Sequence, residues 1–135
     1  MDRTVDFLLK KYETKQPGEI WETETEHKYL KEYRHQQRLF TLDKIVNERT
    51  TKSRGTFKLP LQQKNRARHL IQHLDFNTSR TSEEQYIAMI LIYVKLESNH
   101  NARVIHYYPM LEDYNIPVTT FIKFLIELNK YHAEG

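Results

Sequence analysis

The sequence predicts an all-α fold: a bundle of about five helices around one central apolar helix, with an extra helical arm at the N-terminus. Three observations point there. Only 3 glycines and 4 prolines occur in 135 residues, fewer turn formers than a sandwich or barrel requires. Apolar residues recur three and four positions apart along most of the chain, the spacing of one helix face. The stretch Tyr86-Ile-Ala-Met-Ile-Leu-Ile-Tyr-Val94 is apolar nearly all round, and such a helix belongs at the centre of a fold.

Taken in order, residues 4–14 read as a short amphipathic helix with Phe7, Leu8 and Tyr12 on one face. Lys15-Gln-Pro-Gly18 breaks it, so residues 1–20 are expected to form a separate arm and 21–135 the main domain. A long helix runs from about Glu22 to Arg49, with Tyr29, Leu30, Tyr33, Leu39, Phe40, Leu42, Ile45 and Val46 as its apolar positions. Its downstream half faces the core. Thr50 to Thr56 form a polar, basic loop. Leu59-Pro60 opens the next helix, because proline suits a first turn. Leu61, Leu70, Ile71 and Leu74 supply its buried stripe. After a loop at 77–81, Ser82 caps the central helix over 83–97, and Gln85 completes a capping box. Ser98 to Asn101 turn the chain. A helix over about 103–114 carries an irregularity at Pro109, Asn115-Ile-Pro117 forms a tight turn, and a last helix over 118–132 buries Val118, Phe121, Ile122, Leu125 and Leu128.

Composition narrows the function. Apolar residues make up 39% and charged residues 29%, so a core forms beneath a heavily charged surface. The absence of cysteine excludes disulfides, thiolate catalysis and zinc sites built on cysteine. No apolar run nears the ~20 residues that span a bilayer, so no membrane association is expected. Residues 1–6 lack a basic start followed by an apolar stretch, so no secretory signal is expected. The lack of cysteine fits an intracellular protein, and the expected location is cytoplasm or nucleoid.

The net charge of +3 is unevenly spread: −1 over residues 1–48, +7 over 49–80 and −3 over 81–135. The middle block holds Arg49, Lys52, Arg54, Lys58, Lys64, Arg66, Arg68 and Arg80. If half of these converged on one face, they could neutralise several phosphates of a nucleic acid. The alternative is a solvated surface or a flexible basic loop. Lys64 and Arg68 share a helix face at i,i+4, whereas Arg66 points elsewhere.

Four stretches carry a family likeness. Gln37-Arg-Leu-Phe-Thr-Leu-Asp-Lys-Ile-Val46, Leu59-Pro-Leu-Gln-Gln-Lys-Asn-Arg-Ala-Arg-His-Leu-Ile71, Ser82 to Val94 with Lys95-Leu-Glu97, and Tyr114-Asn-Ile-Pro-Val-Thr-Thr-Phe-Ile-Lys123 occur in that order. Together, residues 36–132 resemble one cyclin-type repeat of the transcription factor B family, which includes transcription factor IIB. The resemblance implies a cyclin-like helical domain and a transcription-associated role. The chain departs from the family in having no zinc ribbon and one repeat instead of two. It also has bulky Tyr86, Met89 and Ile90 where the family favours alanine, and Ile116-Pro117 in place of a small residue in the last turn. In the resembled family the final helix pair can contact DNA. A helix-turn-helix there would present Thr119, Thr120 and Lys123 to base edges, with Arg103 near the backbone. Plain helix packing explains the same residues.

Other chemistry finds little footing. His69 and His73 sit at i,i+4, as in a two-histidine metal pair, but no third ligand is placed, so no metal is expected. The cluster Tyr107, Tyr108 and Tyr114 reads as half-buried core or as an interface. No phosphate-cradling glycine loop or nucleophile elbow occurs, so neither enzymatic activity nor a cofactor is expected. The expected function is a nucleic-acid-binding module that contacts phosphates through residues 49–80. DNA is favoured over RNA, and RNA polymerase or another transcription factor is a candidate neighbour. The alternative is a protein–protein adaptor, possibly homodimeric, with an exposed apolar patch around Phe7, Leu8, Trp21 and Tyr29.

Overall fold

The structure is a computed structural model that describes residues 24–76 and 81–134, with side chains for 26–76 and 81–130. The expected 4–14 helix, the 1–20 arm, Trp21 and Arg80 lie outside the described residues. The chain divides into two compact units, Met1–Gln37 and Arg38–Gly135. Five α-helices occur among the described residues: α1 (Glu24–Lys52), α2 (Leu61–His73), α3 (Glu83–Ser98), α4 (Tyr108–Asp113) and α5 (Val118–Glu134). A 3-10 turn, Val104–Tyr107, leads into α4, and no strand occurs among the described residues. The fold is all-α, as the sequence predicts.

The first unit contributes, among the described residues, the opening of α1, where Leu30 is buried. The second unit is built around α3. Ile87, Ala88, Met89, Ile90, Leu91, Ile92 and Val94 are all buried, leaving this helix no solvent face along its middle. Both α2 and α5 pack on it. Leu42 and Ile45 of α1, Ala67, Leu70 and Ile71 of α2, and Met110 and Leu111 of α4 join the same core. So do Phe121, Phe124 and Leu128 of α5. Each fully buried aliphatic side chain contributes roughly 1.5–3 kcal/mol.

α1 runs for 29 residues without glycine or proline. It stops at a Schellman motif, in which the Gly55 N–H donates to Thr50 O at 2.9 Å and the Arg54 N–H to Thr51 O at 3.2 Å. This motif needs a left-handed residue just past the helix. Arg54 fills that position at φ 54°, where glycine is usual, and Gly55 follows at φ 85°. The helix therefore reaches slightly into the segment expected as loop.

α2 begins directly after Pro60, whose missing N–H costs nothing at a helix start. α3 begins with a complete capping box. The Ser82 Oγ accepts from the Gln85 N–H at 3.2 Å, and the Gln85 Oε1 accepts from the Ser82 N–H at 3.0 Å. α4 ends in a second Schellman motif: the Ile116 N–H donates to Leu111 O at 2.8 Å and the Asn115 N–H to Glu112 O at 3.0 Å. Asn115 holds the left-handed position at φ 56°, which asparagine tolerates. Gln85 links the two sites, its Nε2 donating to Tyr114 O at 3.1 Å and to Asn115 O at 3.0 Å.

Three expectations are corrected. Leu61 is 69% exposed, not part of the buried stripe, because it lies nine positions, about half a turn out of phase, from Leu70. Ile122 is exposed because the buried stripe of α5 runs through Phe121, Phe124 and Leu128. The expected 103–114 helix is split into the 3-10 turn and α4, since Pro109 has no N–H to continue a ladder and sits in the first turn of α4 instead.

The core predicts one clear outcome. Ile90→Ala leaves a cavity with α3 already enclosed, so stability should drop by about 2–5 kcal/mol in urea denaturation followed by circular dichroism.

Candidate nucleic-acid interface

The basic segment is built from the last turn of α1, the loop after it and α2. Its cations do not form one open surface. Arg49 donates to Asp113 Oδ2 at 2.5 Å, and its side chain is only 13% exposed. Lys52 reaches the same oxygen at 3.1 Å but stays 57% exposed. Lys64 pairs with Asp43 at 3.3 Å. Arg66 grips Glu97 with both ends of its fork, Nε to Oε1 at 3.0 Å and the second nitrogen to Oε2 at 3.3 Å. The Tyr93 hydroxyl donates to the same Glu97 carboxylate at 2.8 Å.

The electrostatics follow these pairs. The hydrogen bond from Arg49, then that from Lys52, holds the Asp113 carboxyl below the usual carboxylate range. The hydrogen bond to Glu97 raises Arg66 further despite partial burial. Burial, reinforced by the Glu97 carboxylate, pushes the Tyr93 phenol up.

Three described cations of the segment remain unpaired: Arg54, Lys58 and Arg68, all exposed. Two of them, with Lys52, sit within seven residues on the 52–58 loop. That loop is held from several sides. Ser53 Oγ accepts from the Phe57 N–H at 2.8 Å, and Thr50 Oγ1 donates to Val46 O at 2.8 Å. Lys95, at the end of α3, donates to the Lys58 carbonyl and lies 5.0 Å from the Phe57 ring centroid. Burial pushes the Lys95 ammonium down. The backbone is thus fixed while the three side chains reach solvent.

The residues of the helix-turn-helix reading are scattered by role. Thr119 and Lys123 are exposed on α5, whereas Thr120 lines a small cavity with Gln85, Asn115 and Pro117. Arg103 is exposed, and its backbone N–H donates to His106 Nδ1 at 3.0 Å. No hydrogen bond or ion pair among the described residues joins these four to the 52–58 loop. His69 and His73 have ring centroids 4.4 Å apart, and no cluster of three metal-ligating side chains occurs among the described residues. No described helix is long and apolar enough to cross a membrane.

Reading the basic segment alone missed its neutralising partners. Asp43, Glu97 and Asp113 come from outside residues 49–80, and the signal was the acidic balance of the flanking segments. Comparison with protein-family models, curated proteins and solved structures finds no match.

The Asp113 pairs carry a pH signature. A carboxyl with a depressed folded-state pKa adds stability above its unfolded value near ~4, and that stability is lost as pH falls through the folded value. Asp113→Asn should cost less than about 1 kcal/mol at neutral pH, because the pair is partly solvated. The gap between wild type and variant should close on acidification below about pH 4, as read from urea midpoints across pH.

Proposed function

We propose that this protein is a helical nucleic-acid-binding module that grips the phosphate backbone of duplex DNA through Lys52, Arg54 and Lys58. The observation that carries this reading is Arg54. It occupies a left-handed backbone position that glycine fills at lower energy, by roughly 1–2 kcal/mol. A strained residue kept at an exposed, rigid turn, between two lysines, is an argument for use of its side chain. The similarity of residues 36–132 to a cyclin-type repeat supports a transcription-associated setting. The ion pairs engage Arg49, Lys64 and Arg66, and the 52–58 loop by itself offers about three phosphate contacts, so affinity is modest and reading of base sequence has no support from this loop.

A second reading, a protein-docking module, is favoured by Ile122 and Ile126, exposed one turn apart on α5.

Fluorescence anisotropy with labelled duplex DNA at several salt concentrations tests the first. Three contacts imply a log–log salt slope of about −2.7. Arg54→Gly should fold normally, since relief of strain offsets the added chain freedom, yet bind more weakly. Lys52→Ala/Arg54→Gly/Lys58→Ala should lose tenfold or more. No binding at low salt, or binding untouched by the triple variant, would overturn the reading.

A further inference from the structure

A cleft of about 190 Å³ opens between the end of α2, the first turns of α3 and the middle of α5, lined by Leu74, Asp75, Tyr86, Phe124, Glu127 and Leu128. Its floor is apolar: Phe124 and Leu128 are buried, and Tyr86 and Leu74 half-buried. Two rings, Tyr86 and Phe124, belong to its lining, and Phe76 lies behind one of them. Phe76 stacks on Tyr86 with centroids 5.1 Å apart, and Tyr86 meets Phe124 edge-on at 6.2 Å. Two exposed carboxylates, Asp75 just past the end of α2 and Glu127 on α5, stand on it. Neither pairs with a cation among the described residues.

Aromatic faces carry negative charge density and hold cations, most strongly where water is partly excluded. The molecule already applies this recipe beside the cleft. The Arg38 guanidinium lies 4.0 Å from the Phe76 centroid, while its Nε and a terminal nitrogen donate to Glu83 Oε1 at 3.1 and 2.8 Å. There the set of aromatic face, carboxylate and guanidinium is complete. In the cleft the aromatic face and two carboxylates are present and the cation is not supplied by any described residue.

We propose that this cleft is a docking site for one arginine side chain of a partner protein. Charge complementarity selects a cation. The planar guanidinium, with five donors in a fixed fork, stacks on a ring and bonds two carboxylates at different angles, which a compact ammonium does less well. The floor formed by Leu74 and Leu128 takes the methylene stem. This site attracts the opposite charge from the 52–58 loop, so it stands or falls independently of DNA binding.

The test is a titration of the full ¹⁵N-labelled chain, followed by amide chemical shifts, with N-acetyl-arginine amide. N-acetyl-citrulline amide, of the same shape without charge, and N-acetyl-lysine amide serve as comparisons. The expected result is saturable shifts centred on Asp75, Tyr86 and Glu127, at least tenfold weaker for citrulline and clearly weaker for lysine. Asp75→Asn/Glu127→Gln, at two exposed positions away from the core, should keep the dispersed spectrum and lose at least tenfold in affinity. Equal binding of citrulline, equal binding of lysine, non-saturable shifts scattered over the surface, or undiminished binding by the double variant would each overturn the assignment.

Discussion

A helix without a polar face must be surrounded, and α3 imposes that requirement on everything else. Six consecutive buried residues, Ile87 to Ile92, leave water no side from which to approach it. The remaining helices are therefore arranged as its cover, each presenting one apolar stripe inward. The polar work is displaced to the two ends of α3. At its start, Ser82 and Gln85 close the capping box and Glu83 and Glu84 receive Arg38 and Lys44. At its finish, Lys95 secures the loop after α1 and Glu97 receives Arg66. The candidate phosphate loop is held near one end of this helix and the aromatic cleft near the other.

Charge that is segregated along the chain is partly cancelled in space. Four cations of the positive block meet carboxylates from α1, α3 and α4 and so join elements. Such partly exposed pairs add little stability one by one, about 0–1 kcal/mol each. Their consequence is selective: they decide which cations remain available to a ligand. Lys52 illustrates the division, since it shares Asp113 with Arg49 yet keeps over half its side chain in solvent.

Helix order, the central position of α3 and the Ser82 cap were legible because each depends on residues close in sequence. The capping box needs only Ser82 and Gln85, and the central helix announces itself by having no polar side. Errors arose where phase or distant partners decide. Leu61 and Ile122 are apolar but sit out of phase with their stripes, which a list of apolar residues does not reveal. The pairing of Arg66 with Glu97, or of Arg49 with Asp113, joins residues 31 and 64 positions apart. No local pattern encodes such contacts. The cleft was missed for the same reason, because Asp75, Tyr86 and Glu127 lie on three different segments.

Gln85 constrains the protein more tightly than its place in a cap suggests. A capping box accepts glutamate as readily as glutamine at this position, since only an oxygen acceptor is needed. Here the other half of the amide donates to two backbone carbonyls, those of Tyr114 and Asn115. A carboxylate would face those carbonyl oxygens with no hydrogen to offer them. Glutamine is thus the residue that satisfies both ends, and hydrolysis of this one amide group would set the start of α3 against the turn that launches α5. The slow chemical ageing of a single side chain would then be felt 30 residues away.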